Sequence, residues 1–318
     1  MSALRGFLSM VGAEWRKARG RGLAWAVLLF AALHGVGAVA MLWLGQRMES
    51  SVKEGAVDSL TWLVSGELAV KIVALPVQGL ALLLLFSMLF AEDFSLGTIA
   101  MIFVRPVPRW MVFIAKATVG VGVALASASV ALAVGLGGGL LAFGLGGDLT
   151  QIGPDTPFFG WLGGFEGGAA HRAALVLGGV LTATLVALPL LGSAALFGAL
   201  LRSPVGALFG SMMFLLADAG MAAVTTVWSG FTRSACAKAA SVSGEMVRPE
   251  DLATMPCADA VLPERLHDLT IWAGRSFLGA RGEPEFWAAA GFPLAVTLGW
   301  SALLLGGALL LFTRRDVD

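Results

Sequence analysis

The chain has 318 residues, 58% of them apolar and only 13% charged, and its formal net charge is zero. Soluble domains carry about 25% charged residues, so one water-soluble core could not hide this much apolar surface, and lipid is the expected solvent. The neutral balance excludes the basic excess that marks nucleic-acid binders.

In chain order, residues 1–21 place Leu4, Phe7, Leu8, Val11 and Trp15 at helical spacing, with Arg16, Lys17, Arg19 and Arg21 at the end. This pattern predicts an amphipathic helix on the membrane surface. The first span is expected over 22–45, close to the roughly 20 residues that a bilayer requires. Ala38-Val39-Ala40 resembles a signal-peptidase site, but the apolar run continues through Leu44. That exceeds a signal h-region of about 7–15 residues.

Further spans are expected over 68–90, with Pro76 inside, and over 110–134, with the Gly-rich run 135–147 blurring its end. The others are expected over 173–200, 205–228 and 286–312, and residues 229–285 form a long polar loop. Within that loop Leu262, Leu266, Leu269 and Trp272 follow helical spacing and predict an external helix touching the membrane. The fold class is therefore an all-α integral membrane protein with six transmembrane helices in one transmembrane domain, residues 1–318.

Six spans put both termini on one side. The short flanks on that side carry Arg16, Lys17, Arg19, Arg21, Arg105, Arg109, Lys116, Arg202, Arg314 and Arg315. The short opposite loops carry only Arg47, Lys53, Lys71 and Arg172. The positive-inside rule then makes both termini cytoplasmic. Arg outnumbers Lys, Ala and Gly abound and Tyr is absent, which is the usage of a GC-rich bacterial genome, so a bacterial inner membrane is expected.

The connector between the second and third spans is the most distinctive stretch. It runs from Glu92-Asp93 through Gly97-Thr98 to Arg105-Pro106-Val107-Pro108-Arg109 and Lys116. A short interfacial helix with acids at its start and basic residues at its end would suit the helix dipole.

Chemistry of other kinds finds little support. A P-loop needs Gly-Lys, and the chain contains no such dipeptide. His34, His171 and His267 lie far apart with no metal-ligand spacing, and Ser193 has no evident base. No catalytic, cofactor or metal residue is assigned.

Asp218 is the one clear acid within a span. A central Asp costs about 2.5–3.5 kcal/mol, nearly cancelling the roughly 2–4 kcal/mol supplied by the surrounding apolar residues. It should face protein, water or a bound group. It either lines a translocation route or hydrogen-bonds to a neighbouring helix. Cys236 and Cys257 share the long loop on the oxidising side, where a disulfide is the natural reading. Such a bond would stabilise that segment by about 3 kcal/mol. The alternative is two free thiols.

With these residues in place, the chain resembles the permease subunit of the type-2 ATP-binding-cassette exporter family. The resemblance rests on Glu14-Trp15-Arg16-Lys17, on the connector from Glu92 to Lys116, on Leu200-Leu201-Arg202-Ser203-Pro204, and on the ending Phe312-Thr313-Arg314-Arg315-Asp316-Val317. It implies a cytoplasmic ATPase partner that holds the ATP and Mg, a second permease copy, and no ATP hydrolysis on this chain. Glu92, Asp93, Gly97, Thr98, Arg105 and Arg109 would shape the region coupled to the ATPase. Residues 229–285 would meet cargo or a periplasmic partner. An ion- or proton-coupled secondary transporter using Asp218 is the alternative.

Overall fold

In the computed structural model, residues 3–20, 22–49, 65–66, 68–69, 76–96, 108–144, 169–242, 261–271 and 286–314 are described. Eight longer helices follow in order among the described residues. They are α1 (Ala3–Gly20), α2 (Leu23–Glu49), α3 (Pro76–Ser95), α4 (Arg109–Phe143), α5 (Ala169–Leu201), α6 (Pro204–Val242), α7 (Val261–Asp268) and α8 (Phe286–Arg314). No strand occurs among the described residues. Six of the helices are long and apolar enough to cross a membrane: α2, α3, α4, α5, α6 and α8. This is the architecture of a multi-pass membrane protein.

Local chemistry sets the boundaries. Gly22, at φ 70°, turns the chain from α1 into α2, a conformation that costs glycine nothing. α3 opens on Pro76, whose missing N–H is no loss in a first helical turn. α4 ends at Gly144, whose φ is 72° and whose N–H donates to the Leu140 carbonyl at 3.0 Å. The α5–α6 turn is made by Arg202 at φ 53° and by Ser203, whose Oγ accepts from the Gly206 N–H at 3.3 Å. Pro204 then begins α6.

The helices run past several expected ends. α3 reaches Ser95 instead of stopping at 90. α4 continues through the Gly-rich stretch to Phe143, beyond 134. Gly135 there is a site of close approach: a Cβ on it would lie 2.7 Å from the Ala69 Cβ and 2.8 Å from the Ser65 carbonyl oxygen. Small residues of this kind let membrane helices pack backbone to backbone. α6 extends to Val242, so the first part of the expected 229–285 loop is helix. Pro76 begins its helix and does not interrupt a span.

The acids expected to open a connector helix instead close α3. Glu92 and Asp93 lie in its last turn, where the helix dipole disfavours them. Lys116 lies two turns inside α4.

α5 is the most buried span, and α6 and α8 are among the least. One core cluster joins Phe86 and Phe90 of α3, Phe113 and Val119 of α4, Leu191 of α5 and Phe312 of α8. A second consists of Ala31, Ala128, Ala131, Leu132, Val180 and Ala183, joining α2, α4 and α5.

Candidate functional site

Three elements converge on one buried ammonium. Lys116 of α4 is 1% exposed. Its Nζ donates to Asp93 Oδ2 at 2.6 Å, to the Leu89 carbonyl at 2.7 Å and to Glu14 Oε2 at 3.3 Å. An ammonium has three donors, and each has an acceptor here. Glu14 and Asp93 are themselves 4% exposed.

Glu14 and Lys17 stand three residues apart on one face of α1, as neighbours on a helix do. Lys17 Nζ lies 2.8 Å from Glu14 Oε1 and 3.6 Å from Asp93 Oδ2. The ion pairs described here join two cations and two carboxylates. Burying one ion costs several kcal/mol unless partners and hydrogen bonds offset it. This balance is what makes the burial tolerable. For the Lys17 ammonium, burial alone works downward. The Glu14 hydrogen bond and the Glu14 and Asp93 charges outweigh it and hold the group above its ordinary value.

Aromatic packing supports the cluster. Phe90 meets Phe113 at 5.3 Å between ring centroids, and Phe312 meets Phe94 at 5.6 Å and Phe113 at 5.8 Å. Arg109, at the start of α4, donates from Nη1 to the Thr313 carbonyl at 3.4 Å. These contacts place α1, the end of α3, the start of α4 and the end of α8 at one end of the bundle.

Of the expected coupling residues, Glu92, Asp93 and Arg109 stand at this end, and Asp93 enters the ion cluster with Lys116. Gly97, Thr98 and Arg105 lie outside the described residues. Nothing in the sequence alone joins Glu14 and Lys17 to Lys116. A lysine set within the apolar run Val112–Val119 was the available signal, because an ionisable group at that depth requires a partner.

A second polar group lies farther along α6. Asp218 Oδ1 accepts the Ile271 N–H at 2.9 Å. Trp300 Nε1 of α8 donates to the Leu269 carbonyl at 2.9 Å. His267 Nδ1 lies 3.2 Å from the Ala222 carbonyl oxygen and 3.2 Å from Thr226 Oγ1. Thus α7 and the residues after it are seated on α6. Trp272, expected on the same helix, lies outside the described residues. Cys236, on α6, is disulfide-bonded. Cys257, the one other cysteine in the sequence, lies outside the described residues.

The remaining candidates are engaged in packing. His34 Nδ1 donates to the Phe30 carbonyl at 2.7 Å, and Ser193 Oγ donates to the Leu190 carbonyl at 3.0 Å. The side chain of His171 lies outside the described residues. Among the described residues no three His, Cys, Asp or Glu side chains converge on a common point. The fold and cluster thus define a helical multi-pass membrane protein with a buried ionic junction at one end. Compared with known proteins, the chain matches no family model and no curated sequence.

Proposed function

We propose that the chain is the transmembrane subunit of an exporter driven by a separate ATPase, of the type-2 ATP-binding-cassette kind, working as a pair of permease copies. The observation that carries this reading is the Lys116 junction. It ties a surface helix and two spans together beside the point where the α3–α4 connector leaves the bundle. A push on that connector would move α1, α3 and α4 as one body, since the buried ions cannot separate without large cost. The coupling region comprises Glu92 and Arg109, with Asp93 buried behind them on Lys116 and Gly97, Thr98 and Arg105 on the connector itself. ATP and Mg belong to the partner.

In this reading the ionic end of the bundle is cytoplasmic, the membrane is the bacterial inner membrane, and 229–285 faces cargo or a periplasmic partner. The test is purification of the native complex with ATPase measurement. A soluble ATP-binding chain should co-purify, and Arg109→Ala should uncouple its ATPase from transport while the spans stay folded. A fully active permease without any ATPase would overturn the proposal. So would labelling of Leu96→Cys by a membrane-impermeant reagent in intact cells.

A further inference from the structure

A cleft of about 240 Å³ opens where α1, α2 and α4 meet. Its apolar wall includes Leu28 of α2 and Val123 and Ala126 of α4, and Trp15, Arg19 and Trp25 stand around it. Val123 is buried, whereas Trp15 and Trp25 are 41% and 54% exposed. The volume is below the roughly 300 Å³ at which drug-sized ligand pockets begin. It suits a narrow apolar segment instead of a bulky solute.

The charge nearby is unbalanced. Glu14 is the one acid of α1, against Arg5, Arg16, Lys17 and Arg19, and Glu14 is committed to Lys116 and Lys17. Among the described residues no carboxylate pairs with Arg19. Its guanidinium lies 5.7 Å from the Trp25 ring centroid. That cation–π contact steadies the group while leaving its N–H donors open to a phosphate. Tryptophans of this kind collect at the headgroup level of a bilayer.

We propose that this cleft binds one anionic phospholipid, with its phosphate on Arg19 and one acyl chain against Val123 and Ala126. A fixed cation beside a narrow apolar slot matches the two ends of such a molecule. The surplus positive charge of α1 favours a net-negative headgroup over a zwitterionic one. The site needs only that α1 lie at headgroup level, and it is independent of any ATPase.

The test is native mass spectrometry of the full chain in a mild detergent, titrated with phosphatidylglycerol, with phosphatidylcholine and with inorganic phosphate. The wild type should bind its first phosphatidylglycerol more tightly than its first phosphatidylcholine. Arg19→Gln should weaken that first equivalent about tenfold, the loss expected for about 1.4 kcal/mol. Arg19→Lys should retain most of the preference, and Ala126→Trp should remove the tight equivalent of either lipid. Equal binding of phosphatidylglycerol by wild type and Arg19→Gln would overturn the proposal. So would displacement of the lipid by inorganic phosphate, which would identify a free-anion site. If Ala126→Trp melts well below the wild type, the exposed Arg19 variants decide the question.

Discussion

Replacing Lys116 with Met tests whether the buried ions form one unit. The substitution keeps the length of the stem and removes the ammonium. Asp93 and Glu14 then stay buried at 4% exposure each, with Lys17 still 2.8 Å from Glu14 and 3.6 Å from Asp93. Breaking a buried pair from one side costs about 3–5 kcal/mol. At about 2 °C per kcal/mol, the low end of the range for larger domains, the melting temperature in detergent should fall by ~6–10 °C. Lys17 makes the informative contrast. Its side chain is 37% exposed, so Lys17→Met should cost only about 0–1 kcal/mol. The decisive arm is the variant that also carries Asp93→Asn and Glu14→Gln. Without buried charge to strand, it should regain most of the loss, because removing a whole buried ion set is often neutral. If Lys116→Met melted within 2 °C of Lys17→Met, or if the triple variant were worse than the single one, the buried ions would not form one unit.

Other outcomes follow from particular contacts. Gly35→Ala should destabilise by about 1–3 kcal/mol, since its Cβ would stand 2.8 Å from both the Ala131 carbonyl oxygen and the Val134 Cβ. Gly37→Ala, with nothing within 4 Å, should be neutral in the same thermal melts. Asp218→Ala should cost about 1–3 kcal/mol by stranding the Ile271 N–H, and Asp218→Asn should cost less because it keeps an acceptor. Gradient-driven transport abolished by Asp218→Asn, with stability intact, would instead favour a secondary transporter. Lys17 predicts an alkaline limit. Its raised folded value means that its contribution is complete below its ordinary value of 10.5 and is lost as pH rises through the folded value above that. Lys17→Met should remove this part of the fall in melting temperature at alkaline pH.

The spans were legible because their signal is local: apolar runs of the length that a bilayer imposes. Their ends were less so. Gly135 and Gly138 look like loop residues in isolation, yet they sit within α4 because Ala69 and Val39 press against those positions. That contact depends on residues far away in the chain. The ionic junction was hidden for the same reason. Glu14, Asp93 and Lys116 each read as a charge at a membrane boundary, and only packing of α1 across α3 and α4 makes them one group. Asp218 was easier, because the cost of a mid-span carboxylate requires a partner wherever that partner comes from.

The geometry around Asp218 explains why that partner is a backbone amide. Asp218 lies about 21 Å along its helix from Pro204, and Trp300 lies about 21 Å from Arg314 at the end of α8. Both Pro204 and Arg314 belong to the end of the bundle that carries the ion cluster. Were a hydrocarbon layer of about 30 Å to begin at that end, it would contain the Leu269–Ile271 segment below its far surface. Irregular backbone at such depth is tolerated only where protein satisfies its polar groups. Three polar groups of this segment have protein partners. Ile271 N–H goes to Asp218, the Leu269 carbonyl to Trp300, and Thr270 N–H to the His267 carbonyl at 2.9 Å. Asp218 and Trp300 thus hold one segment between α6 and α8, two of the less buried spans, and losing either side chain should loosen that connection before it disturbs the core around α5.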